Sequence, residues 1–181
     1  MDVSGFPINS KFRVVEYTTK GVTIRNVLGS DLMSGMMIQV SPTKYEPIIG
    51  FSVNSPTIIV DSLTIKYENG SCSITPNHLL ISRNDKIPAN ELDTGSIIFN
   101  IENRALPVHS ITLSKQVGVI CPLTSSGLLI VNDIQFSCYT KQYPEILNKA
   151  IAKTTRKVIK SNTIRQRVIE KIYDKLNKHS L

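Results

Sequence analysis

Short runs of β-branched, aromatic and aliphatic residues recur along residues 11–140, each bounded by polar or turn-forming residues. Residues 12–17, 37–40, 57–60, 63–67, 79–82, 96–99 and 117–120 read as strands. Glu68-Asn69-Gly70, Asn84-Asp85-Lys86 and Ser125-Ser126-Gly127 read as turns between them. The spacing predicts an all-β domain built of hairpins. Beyond Cys138 the period changes. Ile146, Leu147, Ala150 and Ile151 fall at helical spacing, as do Ile164, Val168, Ile169, Ile172, Tyr173 and Leu176. Pro144 suits a helix start and Asn162 a second cap, so residues 141–181 predict two amphipathic helices or one bent helix.

Inside the β region the pattern repeats once. Asp31-Leu32-Met33-Ser34-Gly35-Met36-Met37-Ile38 and Glu91-Leu92-Asp93-Thr94-Gly95-Ser96-Ile97-Ile98 share an acid, Leu, a hydroxyl residue, Gly and Ile at the same offsets. Each predicts a short helical turn stopped by Gly and feeding a strand, because glycine tolerates positive φ. Two equivalent β subdomains would produce this echo.

Length and charge refine the picture. A chain of 181 residues is one domain, or one domain of about 140 residues with a tail. No apolar run reaches the roughly 18 residues of a membrane span, and no apolar signal region stands at the N-terminus. The net charge of +7 is confined to the tail: residues 1–140 hold 10 Lys/Arg against 11 Asp/Glu, and residues 141–181 hold 11 against 3. A basic amphipathic helix suits an acidic or membrane surface, or else packs on the β core with its charges in water. No exposed aromatic platform is evident, which argues against a nucleic-acid-binding module. Cys72, Cys121 and Cys138 are widely spaced, forming neither a disulfide framework nor a zinc-ligand cluster, and no cofactor or metal is called for.

Two stretches carry candidate chemistry. Thr75-Pro76-Asn77-His78 stands directly before an apolar strand. Breaking a backbone amide needs its nitrogen protonated as its carbonyl is attacked. A near-neutral His can do this while a hydroxyl orients the peptide. The plainer alternative is a His capping a turn. Cys138 ends the run Leu128-Leu129-Ile130-Val131-Asn132-Asp133-Ile134-Gln135-Phe136-Ser137. It reads either as a buried structural thiol or as an exchange thiol facing a reactive site. Cys72 and Cys121 read as structural.

In order and spacing these motifs resemble the hedgehog autoprocessing domain of the hedgehog/intein (Hint) superfamily. Gly5-Phe6-Pro7, Leu32 to Ile38, Thr75 to His78, Leu92 to Ile98, and Cys121-Pro122-Leu123-Thr124 through Ser137-Cys138-Tyr139-Thr140 follow that family's sequence over residues 4–140. The terminal His-Asn of inteins is absent, which favours the hedgehog branch. The resemblance implies a mainly β Hint fold of two pseudo-symmetric β subdomains over residues 1–140, residues 1–4 being an upstream remnant, with a C-terminal α-helical extension. It implies self-cleavage at the peptide bond before residue 5. A Cys there makes a thioester, Thr75 and His78 assist the shift, and the upstream segment passes to a sterol, another nucleophile or water. Residues 141–181 would then be a lipid- or sterol-recognition region. It further implies that the substrate is the chain's own upstream segment, that the domain acts as a monomer and that the pathway is secretory.

Two departures matter. The nucleophile position holds Gly5, which has no side chain, through deliberate removal or natural degeneracy. Ser4 offers a hydroxyl one residue too early unless the register slips. The acid that activates the sterol hydroxyl should lie 26 residues before His78, where Ser52 stands; Asp61 is the nearest downstream substitute. The other reading from sequence is a catalytically dead domain of this fold that binds a partner or anchors to a membrane.

Overall fold

The computed structural model describes residues 3–19, 21–82 and 85–140. The predicted helical tail, 141–181, lies outside the described residues, as does Asn84 of the second turn signal. Among the described residues thirteen strands and two single 3₁₀ turns make an all-β architecture, as the alternation predicts. In chain order the strands are β1 (Phe6–Pro7), β2 (Lys11–Thr18), β3 (Gly21–Leu28), β4 (Met37–Gln39), β5 (Tyr45–Pro47), β6 (Gly50–Tyr67), β7 (Gly70–Ile74), β8 (His78–Ser82), β9 (Asp85–Pro88), β10 (Ile97–Phe99), β11 (Ala105–Leu123), β12 (Leu128–Val131) and β13 (Ile134–Thr140).

They form two antiparallel sheets. One runs β1-β11-β6-β7, with β10 also on β11; the other runs β5-β4-β2-β12-β13-β8-β9, with β3 on the outer side of β2. The sequence reads two strands, 57–60 and 63–67, on either side of Asp61-Ser62, yet the chain stays extended from Gly50 to Tyr67 as β6. The pleat explains this. Asp61 turns outward to pair with Lys115 at 2.7 Å, while buried Ser62 gives its hydroxyl to the Ile74 carbonyl at 3.4 Å. Strand β3 has seven of its eight residues exposed, Val22, Ile24 and Leu28 among them, and only Val27 buried. Eight paired residues along β2 hold it, a backbone ladder that hydrophobic pattern does not report.

The internal echo is structural. Gly29–Asp31 and Ala89–Glu91 are the two 3₁₀ turns, and Leu32 and Leu92 are buried after them. Gly35 and Gly95 have φ of +89° and +91°. Gly35 N–H donates to the Ile48 carbonyl and Gly95 N–H to the Val108 carbonyl, both at 2.8 Å. Met37 then opposes Pro47 as Ile97 opposes Pro107. The match thus extends past the eight residues visible in sequence: each partner is displaced by the same interval. The chain is built of two equivalent β units, whose shared core contains Phe6, Phe12, Ile38, Ile65, Ile98, Leu129 and Phe136.

Candidate functional site

The N-terminal segment is pinned where β1 joins β11, with Phe6 opposite Ile120 and Pro7 opposite Val119. Phe6 is fully buried. It meets Phe12 and Phe136 edge-on at centroid distances of 5.7 and 5.1 Å, and the His78 ring at 4.8 Å. This anchor holds Ser4 and Gly5 against the turn between β7 and β8. That turn is Thr75-Pro76-Asn77, closed by His78 N–H donating to the Thr75 carbonyl at 3.1 Å. Asn90 N–H braces it through the Pro76 carbonyl at 2.9 Å.

Thr75 holds Gly5 from both sides. Gly5 N–H donates to Thr75 Oγ1 at 2.8 Å, and Thr75 N–H donates to the Gly5 carbonyl at 3.0 Å. Ser4 Oγ lies 3.0 Å from Thr75 Oγ1 and 3.3 Å from His78 Nδ1, and all three residues are buried. On the far side of the ring, His78 Nε2 lies 2.7 Å from the Ser137 carbonyl, presented by β13 beside β8. Burial lowers the His78 pKa to about 4 against the opposing pull of the Ser137 carbonyl, so the ring is neutral at pH 7.

These contacts fix the direction of the hydrogen bonds. A carbonyl only accepts, so Nε2 carries the ring proton and Nδ1 is the free acceptor. Nδ1 can only accept, so Ser4 Oγ donates its one proton there, and the Ser4–Thr75 bond is donated by Thr75 Oγ1, which takes Gly5 N–H on a lone pair. The result is a hydroxyl on a neutral imidazole that a third group orients, the arrangement that activates a nucleophile.

Gly5 is itself constrained. A Cβ built there meets the Ile120 carbonyl oxygen at 2.6 Å, its carbon at 3.0 Å and Val119 Cγ2 at 3.0 Å. The position the sequence marks for a nucleophile therefore has no room for a side chain in this backbone. Glycine fits here because β11 passes so close.

Thr75, His78 and the Gly5 backbone are brought together; Cys138, Ser52 and Asp61 are not at that centre. Cys138 lies within β13 rather than at a strand end. Its thiol faces Thr124 Oγ1 at 3.5 Å, and its carbonyl accepts from Cys121 Sγ at 3.4 Å. Burial pushes its pKa well above the usual thiol range, so it is a neutral, enclosed thiol rather than a poised exchange thiol. Burial likewise raises Cys72 to about 12 and Cys121 to about 11, as structural cysteines require. Ser52 donates to the Cys121 carbonyl at 3.4 Å and so borders this second cluster. Asp61 does not substitute for an acid here. It is tied to Lys115, six residues from Cys121 along β11, or about 20 Å at strand rise.

Sequence reasoning missed Glu46. Its carboxylate is nearly buried, accepts from Ser126 N–H at 2.8 Å and pairs with Lys44 at 2.6 Å. The same Ser126 carries a hydroxyl 3.4 Å from Thr124 Oγ1, which faces Cys138 Sγ at 3.5 Å. The only hint in sequence is a carboxylate inside a β-rich stretch, which is too common to single out.

The family comparison agrees with this architecture. The model of the Hint module matches residues 6–170. No curated protein sequence matches the chain. Among solved structures, a variant of the gp41-1 intein is similar with a TM-score of 0.60 at 17% identity, covering 75% of this chain and 99% of its own. The VidaL intein gives 0.57 at 16%, covering 75% and 97%. A bacterial intein-like domain from Clostridium thermocellum gives 0.56 at 13%, covering 75% and 99%. At these identities the structural likeness speaks for the fold, and the family model for membership: the chain belongs to the Hint-module family, the autoprocessing domains of the hedgehog/intein superfamily.

Proposed function

We propose that this Hint module rearranges the backbone at its own N-terminal junction, releasing whatever segment precedes it. The observation that carries this reading is the two-way hold of Thr75 on the Gly5 backbone beside the neutral His78 ring. Thr75 fixes the backbone on either side of Gly5, directly beside the junction. His78 takes a proton at Nδ1 from an attacking hydroxyl or thiol and returns it to the departing amine, and the Ser137 carbonyl keeps the ring in the tautomer that can do so.

The family resemblance would put the attacking atom at residue 5, and Gly5 supplies none, so a thioester at that residue does not form in this chain. The acceptor in the second step is water. Ser52 lacks the basicity to deprotonate a sterol hydroxyl, and Asp61 is engaged elsewhere.

The test is intact mass spectrometry of the chain carrying a folded reporter upstream, with and without neutral hydroxylamine, which traps an ester as a hydroxamate. Release of the reporter should slow about 100-fold or more in Thr75→Ala and in His78→Ala, with the β-sheet circular dichroism retained. Release unchanged in both variants would refute the assignment. The absence of room at Gly5 favours one other reading, a catalytically silent Hint domain that binds a partner. It predicts no release from any form.

A further inference from the structure

Building on self-processing at this junction, we propose that Ser4 is the nucleophile and that the bond which reacts is Val3–Ser4, one residue before the position the family resemblance marks. Two independent observations carry this. At residue 5 the close approach of Ile120 leaves no space for any reactive side chain. At residue 4 a buried hydroxyl sits 3.0 Å from Thr75 Oγ1 and 3.3 Å from His78 Nδ1. The chain of donors described above runs one way and ends at the free nitrogen. The Ser4 proton therefore points at a base, while its oxygen keeps a lone pair for attack.

Ser4 Oγ attacks the Val3 carbonyl carbon, closing a five-membered ring. Its proton moves to His78 Nδ1. The Val3–Ser4 carbon–nitrogen bond then breaks as the same proton passes to the Ser4 nitrogen. The product is an ester between the Val3 acyl group and Ser4 Oγ, with a free Ser4 amine, and is an isomer of the starting chain. Water then attacks the ester, giving a carboxylic acid at Val3 and restoring the Ser4 hydroxyl. No oxidant, metal or other co-reactant enters. Gly5 contributes its N–H and carbonyl, through which Thr75 holds the backbone so that residue 4 faces the ring.

Intact mass of the reporter-bearing chain tests this. In neutral hydroxylamine the released segment should end in Val3 hydroxamate, a mass that also separates this event from hydroxylamine cleavage at Asn69-Gly70. Ser4→Ala should slow release at least 100-fold. Ser4→Cys should make the same bond open with dithiothreitol, as a thioester does; a serine with only a structural role predicts no such gain. A segment ending at Ser4, or release that persists in Ser4→Ala, would overturn Ser4 as nucleophile and leave self-processing standing. Release by Gly5→Cys alone would do the same. No release from the unsubstituted sequence, Ser4→Cys or Gly5→Cys would overturn both. Should a Ser4 variant fail to fold, the end of the segment released from the unsubstituted sequence decides.

Discussion

Replacing Gly5 by alanine isolates the constraint that separates this chain from its resemblance. The added methyl would sit 2.6 Å from the Ile120 oxygen and 3.0 Å from the Ile120 carbon and Val119 Cγ2. Ordinary contact begins at about 3.4 Å, so the overlap with the oxygen approaches 1 Å. A flexible side chain could turn away, but the obstacle is backbone held from two directions: Ile120 is paired to Phe6 on one side and to Asn54 on the other. Forced overpacking of this kind costs about 1–3 kcal/mol. Alanine also restricts the unfolded chain, which returns about 0.4–1 kcal/mol. The net loss is about 1–2 kcal/mol, or a urea midpoint lower by about 0.5–1 M at the usual dependence for a domain of this size. The sequence has no Trp, so far-UV circular dichroism is the suitable probe. If Gly5 is displaced, Thr75 also loses its hold, and hydroxylamine-dependent release should fall in the same variant. A stability equal to the parent's would refute the close approach, and with it the claim that residue 5 cannot carry the nucleophile.

Other expectations follow from the same contacts. His78 binds its proton at about 4 in the fold against 6.5 unfolded, so its contribution is complete above pH 6.5, declines as pH falls, and is gone below about 4. The loss is about 3 kcal/mol, and urea titrations from pH 7.5 to 4 should show a steeper pH slope for the parent than for His78→Gln. Gly35→Ala and Gly95→Ala should each cost about 1–2 kcal/mol by thermal or urea unfolding, and by matching amounts, since both glycines have φ near +90° with open space at the Cβ position. Cys138, Cys72 and Cys121 are all buried free thiols. Iodoacetamide should modify them only at the rate at which the fold opens, and prompt labelling of Cys138 in the native protein would contradict its enclosure.

Much of the fold was legible because apolar alternation reports which residues face the core. Residues 12–17, 79–82 and 96–99 read as strands and became β2, β8 and β10. Where a strand owes its place to backbone pairing the pattern is mute. Strand β3 turns Val22, Ile24 and Leu28 to solvent, so its apolar residues mark no core face, and polar Asp61-Ser62 looked like a break inside β6. Thr75 and His78 were legible because one turn brings them together, so their spacing in sequence is their spacing in space. The site's other determinants depend on long-range packing. That Gly5 abuts Ile120, that Ser4 rather than residue 5 faces the ring, and that Ser137 contributes its carbonyl while Cys138 turns away are consequences of which strands lie beside one another. Asp61 was a plausible acid by nearness in sequence alone; its place on β6, opposite Lys115, put it out of reach.

Everything proposed for this junction needs a neutral His78 whose unprotonated nitrogen faces Ser4. Long-range ¹H–¹⁵N correlation of the uniformly labelled chain at pH 7 reads that state directly. The expected result is a proton on Nε2 and the chemical shift of a bare nitrogen at Nδ1. A ring carrying its proton on Nδ1, or protonated on both nitrogens at pH 7, would leave the Ser4 hydroxyl without a base and contradict the mechanism.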